Sequence, residues 1–201
     1  MAGAPAGMLR QAVGVAAAAH LGALAAGHDP RHVSPVRVEK SIGAETTFDV
    51  DVDDPGTIRR TLLALSGTVA GRLRAAGQAG RTVALKVRLA DFTTVTRSRT
   101  LHSATDVARE LFDTGWSLFE ALAPAAPIRL VGVRAESLTT ADGLSRQLTL
   151  GDREHGWRES ERAADAVAVR FGAGSVRPAS LVRAVGQERI FDPLSDPLPP
   201  S

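Results

Sequence analysis

Apolar and polar positions alternate along Ser41–Val52, with Ile42, Ala44, Thr46, Phe48, Val50 and Val52 on one face, and this period of two predicts a strand. Asp54-Pro55 then opens a helix to about Ala76, with Asp54 as N-cap and Pro55 in the first turn. Ile58, Leu62, Leu65, Val69 and Leu73 recur at helical spacing and form its apolar stripe, and Gly77 and Gly80 end it. A second strand over Arg81–Phe92 turns Val83, Leu85, Val87 and Leu89 inward and Lys86 and Arg88 outward. A third, Thr93–Leu101, is β-prone but mostly polar. The next helix is predicted over about Ala104–Leu122, capped by Ser103, with Val107, Leu111, Phe112, Gly115, Phe119 and Leu122 on its buried side. Pro124 and Pro127 precede a fourth strand, Ile128–Ser137.

The order β-α-β-β-α-β predicts an α+β fold: a four-stranded antiparallel sheet with both helices on one face. An N-terminal helix over Gln11–Gly27, with Leu9, Val13, Ala17, Leu21 and Leu24 on one side and Gly27 as C-cap, precedes it. A secretory signal is the other reading of that stretch, but His20 and the scarcity of large apolar residues favour the helix. Pro30 and Pro35 make Arg31–Glu39 an extended linker. A helical C-terminal extension follows, with a helix near Ser160–Phe171, and the Pro-rich end, Asp192–Ser201, is expected to be disordered.

Composition narrows the function classes. The chain has 201 residues, 44% of them hydrophobic, enough for an ordinary core, and no cysteine. A disulfide scaffold, a Cys-based zinc site and a thiol nucleophile are thereby excluded, and a reducing cytoplasm is expected. Net charge is only +2, yet the isoelectric point is about 9.9, because 22 of the 24 cations are Arg and little titrates between pH 7 and 10. Segregation is more informative. Arg81, Lys86, Arg88, Arg97 and Arg99 face only Asp91 between Arg81 and Leu101, interleaved with Thr93, Thr94, Thr96, Ser98 and Thr100. Helices cover one sheet face, so the other is expected to be open, basic and rich in hydroxyls, a surface suited to phosphate oxygens. A solvated charged face is the plain alternative.

No catalytic set emerges. Asp49, Asp51, Asp53 and Asp54 are the densest acidic cluster, but an EF-hand register would put Asp54 where Gly is needed and Arg60 where Glu is needed. A solvated strand leading into a helix cap is the better reading. None of His20, His28, His32, His102 and His155 has a helical metal-ligand partner, and Pro30 separates His28 from His32. Trp116 is read as core or rim and Trp157 as packing the tail helix. An RNA-recognition module shares the succession of elements, but it stacks bases on outward aromatics, and the middle strands offer only Phe92 at their junction.

Lys40-Ser41-Ile42-Gly43-Ala44-Glu45-Thr46-Thr47-Phe48 and the Asp-Pro helix resemble the opening of the little finger of Y-family translesion DNA polymerases, the DNA polymerase IV branch most. Val83–Phe92 with Thr93–Ser98 resembles the family's basic strand pair, Ile128–Val133 its last strand, and Arg170-Phe171-Gly172 with Arg177–Leu181 its C-terminal extension. The resemblance implies residues 1–30 as the remnant of a thumb helix, 31–39 as linker, 40–140 as little finger, 141–191 as extension and 192–201 as tail. It implies that Lys40, Ser41, Gly43, Lys86, Arg88, Thr96, Arg97 and Arg99 grip the backbones of damaged or primed duplex DNA.

The palm, whose carboxylates hold Mg²⁺ for nucleotidyl transfer, has no counterpart in this sequence, so no cofactor and no unaided polymerisation are expected. A monomer without a membrane partner is expected. The family also carries a short sliding-clamp peptide. Gln147-Leu148-Thr149-Leu150 resembles its start, and Gln187-Glu188-Arg189-Ile190-Phe191 keeps its Gln and its apolar-aromatic pair, making Gln187, Ile190 and Phe191 the candidate clamp contacts. An adaptor that docks on the clamp through this tail is the rival function. An unrelated enzyme on the same scaffold lacks a nucleophile, base or metal set.

Overall fold

The computed structural model describes residues 6–31, 39–141, 156–172 and 174–182. The chain forms two compact units, residues 1–38 and 39–201. In the first, the single expected helix is two, α1 (Ala6–Val13) and α2 (Val15–Ala25). Gly14, at φ +83° and ψ +166°, adopts a backbone that a side chain would forbid, so the helix stops there and restarts. The break leaves Val13 and Ala17 exposed and buries Ala18 instead. At the other end Gly27 closes α2 as expected, the His28 N–H donating to the Ala23 carbonyl at 2.9 Å.

The second unit has the predicted element order: β1 (Ser41–Val52), α3 (Pro55–Ala75), β2 (Gln78–Leu89), β3 (Thr94–Thr105), α4 (Ala108–Leu122), β4 (Ile128–Thr140) and α5 (Trp157–Phe171), then a 3₁₀ turn at Ala179–Leu181. The sheet order is β1-β4-β2-β3 and every neighbouring pair is antiparallel. Each helix thus links two parallel strands with a third inserted between them. Asp54 caps α3 as predicted, accepting from the N–H groups of Gly56 (3.1 Å) and Thr57 (2.8 Å). Ile58, Leu62, Leu65, Val69 and Leu73 are all buried, against Val83, Leu85 and Val87 of β2 and Leu111, Phe112 and Phe119 of α4.

Several boundaries differ from the periodicity. Gly77, at φ +61°, ends α3, but Gly80 lies inside β2 and does not terminate the helix. β2 begins three residues early and closes into a turn at Ala90–Asp91, after which Phe92 takes φ +67°. Val50 is 79% exposed rather than inward, because the β1–β4 register shifts between Thr47 and Val52 and breaks the alternation. β3 continues to Thr105, paired with Gly80, so Ala104 and Ser103 are strand residues and Ser103 is not a cap. Helix α4 starts at Ala108 with Val107 at the N-cap position, where no side chain of its own can cap it. Its cap comes from elsewhere: Glu161 of α5 accepts from the N–H groups of Ala108 (2.9 Å) and Arg109 (3.3 Å).

Helix α5 begins at Trp157, earlier than predicted, and none of its residues is fully buried. It is seated by charge. Arg74 of α3 meets Asp165 at 2.5 Å and Glu161 at 2.6 Å and donates to the Asp106 carbonyl at 2.8 Å, while Arg158 pairs with the buried Asp106 carboxylate. Burial opposes the Arg74 charge, but Asp165 and Glu161 together hold its guanidinium above the ordinary value. Trp157 sits under the Arg109 guanidinium, and Trp116 is half-buried and stacked on Phe119. No described helix is long and apolar enough to cross a membrane.

Candidate nucleic-acid interface

With α3 and α4 on one face, the other is defined by the strand register, since directly paired residues share a face. Four rows cross it. Ser41, Glu136, Thr82 and Thr100 form the first; Gly43, Arg134, Ala84 and Ser98 the second. Glu45, Gly132, Lys86 and Thr96 form the third, and Thr47, Leu130, Arg88 and Thr94 the fourth. Seven positions are hydroxyls, three are cations, two are carboxylates, and none is aromatic. Phe92 stands instead in the β2–β3 turn, with the Arg129 guanidinium 4.6 Å from its ring.

This register brings Ser41, Gly43, Lys86, Arg88 and Thr96 onto one surface. Lys40 is exposed just before β1. Arg97 and Arg99 are separated from them, being paired with Leu85 and Val83, which point to the helices. They remain exposed because β3 is an edge strand, and Arg99 reaches Ser117 of α4 at 3.3 Å. The expected single basic face is therefore a basic edge: cations flank β3 on both sides, and the open face itself carries mixed charge.

Each cation is held differently. Lys86 pairs with Glu45 at 2.8 Å across a whole strand, over Gly132. A Cβ at Gly132 would lie 2.7 Å from that of Glu45, so only glycine leaves the carboxylate its place. Arg134 lies 3.6 Å from Glu136, and Arg88 donates to the Thr94 hydroxyl at 2.9 Å. Arg88 has no carboxylate partner among the described residues, so its charge is the most available on this face. At the opposite edge, Arg72 of α3 donates to the Gly43 carbonyl at 2.9 Å.

The aspartates of the acidic cluster are spoken for or dispersed. Asp51 pairs with Arg129 at 3.2 Å and Asp54 caps α3. Among the described residues no three acidic or imidazole side chains converge to hold a metal ion. These carboxylates do not fit a two-Mg²⁺ transfer site.

The stretch that carries this sheet has counterparts in known sequences: residues 39–150 match the C-terminal domain of the impB/mucB/samB family. The chain belongs to this family. Within it the chain resembles the C-terminal part of Y-family polymerases of the DNA polymerase IV type. Similar family members named DNA polymerase IV include that of Desulfatibacillum aliphaticivorans, 38% identical over 84% of this chain and 43% of the relative. Those of Brucella melitensis (35% identical) and Caulobacter vibrioides (37%) match 76% of this chain and 34% and 38% of their own length. The chain thus spans well under half of these relatives.

Helix α5 lies beyond the stretch matched to the family domain, as do Gln187, Ile190 and Phe191; these three residues, and Gln147–Leu150 within the matched stretch, fall outside the described residues. Sequence reasoning missed Arg134 and Arg72. Arg134 was available from alternation, because Val131, Val133 and Ala135 point inward and force Gly132, Arg134 and Glu136 outward. Arg72 carried no local signal; only the packing of α3 against β1 takes it to the sheet edge.

Proposed function

We propose that this chain is the DNA-gripping little finger of a translesion polymerase, and that it holds template-primer duplex by the sugar-phosphate backbone without reading sequence. What supports this most is the register-defined open face, with hydroxyls and cations in place of the aromatics that base stacking needs. Backbone phosphates lie along β3, between Lys86 and Arg88 on one side and Arg97 and Arg99 on the other. Thr96 orients the phosphate oxygens, and Lys86 exchanges Glu45 for phosphate on binding. At the β1 end Lys40, Ser41 and Gly43 supply further contacts. Nucleotidyl transfer would belong to the carboxylates of a palm; no step of it runs through the groups of this chain.

Fluorescence anisotropy with a primed duplex at increasing salt tests the reading. With about four to six phosphates neutralised, log affinity should fall against log salt with a slope of about −4 to −5. Replacing Arg97 and Arg99 by Ala should weaken all sequences alike and reduce that slope by about two. Salt-independent binding, or a loss confined to one sequence, would overturn it. Clamp docking through Gln187, Ile190 and Phe191 is separable: deleting residues 187–191 should leave DNA affinity intact.

A further inference from the structure

Among the described residues, strand β1 has a neighbour only on its β4 side. The carbonyls of Ala44 and Val133 face across that ladder: a Cβ built on Gly132 lies 3.3 Å from the Ala44 oxygen, and one built on Gly43 lies 3.1 Å from the Val133 oxygen. In a strand the N–H and C=O of one residue point the same way and alternate along the chain. Gly43, next to Ala44, therefore directs both groups out of the sheet edge. Its carbonyl is taken by Arg72 from the helix side, at 2.9 Å. Its N–H is left facing outward. From the open side the Arg134 stem closes over the same residue, its Cγ 3.1 Å from where a Cβ would stand.

We propose that Arg72 is a positioning residue for a phosphodiester contact at the β1 edge: by holding the Gly43 carbonyl it aims the Gly43 N–H at a backbone phosphate. This rests on the DNA-gripping reading above. An edge strand is otherwise free to bend and twist, since its outer groups have no ladder to hold them. A donor anchored on α3, whose stripe is in the core, fixes the peptide plane on which the N–H lies. The guanidinium also places positive charge on the same edge as that N–H. A side chain at position 43 would press on the Arg134 stem and the Val133 carbonyl together, which explains why glycine stands there.

The test uses the full chain with a fluorescein-labelled primed duplex, and the variants Arg72→Met, which keeps the stem without a donor, and Arg72→Lys, which restores one. Arg72→Met should raise Kd about tenfold and abolish the DNA-induced shift of the Gly43 amide in ¹⁵N–¹H spectra. Arg72→Lys should return affinity to within about twofold and restore the shift, a rescue that a change in overall folding would not produce. A wild-type chain that binds the duplex while its Gly43 amide stays unmoved overturns the Arg72 proposal alone. So does Arg72→Met binding as tightly as wild type, or Arg72→Lys failing to rescue. A wild-type chain that does not bind the duplex overturns the DNA-gripping reading, and this one with it.

Discussion

Helices α3 and α5 belong to the same unit and are seated by opposite means. Helix α3 presents an unbroken apolar stripe and is held by area removed from water: Leu62, Leu65, Val69 and Leu73 are each fully buried. Helix α5 buries no residue completely and is held by Arg74, Glu161, Asp165, Arg158 and Asp106. The first mode is short-ranged, tolerant of salt and cooperative with the sheet. The second depends on a few charges whose geometry must be met, and salt weakens its exposed members. Being seated by charge makes α5 an element that can loosen without unfolding what lies beneath it.

The largest effect should come from the apolar side. Leu65→Ala is expected to cost about 2–5 kcal/mol and lower the urea midpoint of the whole unit, sheet included. A change confined to α3 would break the comparison. Arg74→Ala should cost less, roughly 1–3 kcal/mol, since a buried pair is worth more than an exposed one and Asp165 is only half-buried. Hydrogen exchange should quicken across residues 157–171 and at the α4 N-terminus but not in β2 or β4, and 0.5 M salt should produce a weaker version in the wild type. Equal loosening of β2 would show that α5 is part of the cooperative core.

The smallest effect concerns the α3 cap. Hydrogen bonds from the Thr57 side chain and from the N–H groups of Thr57 and Gly56 hold the Asp54 carboxyl below its ordinary value of 3.8. The folded value is thus the lower one, so the cap contributes fully above the unfolded value and is lost as pH falls through the folded one. Urea midpoints measured downward from pH 5 should drop below about pH 4 in the wild type and show less of that drop in Asp54→Asn. An identical acid limb in both would remove Asp54 from the account.

Much of the fold was legible because its signals are local. The stripe of α3, the Asp54-Pro55 start and the inward Val83, Leu85 and Val87 are each written within one element. Errors occurred where another part of the chain intervenes. Ser103 looked like a cap, but β3 keeps pairing with β2 as far as Thr105 and leaves the capping of α4 to Glu161. Val50 looked inward, but a register shift turns it out.

The candidate site divides the same way. Residue types and the succession of elements, read from the sequence alone, were enough to indicate an open face of hydroxyls and cations, to exclude base-stacking aromatics and to recognise the family. What only the tertiary structure decided is which charges act together. A strand's period of two says that Arg97 and Arg99 share a face, but not which face of the sheet; that depends on pairing with Leu85 and Val83. Likewise nothing near Arg72 in sequence points to Gly43, or near Glu161 to Ala108. Local patterning is set by neighbours a few bonds away, whereas register and helix docking are set by contacts that exist only once the core has closed.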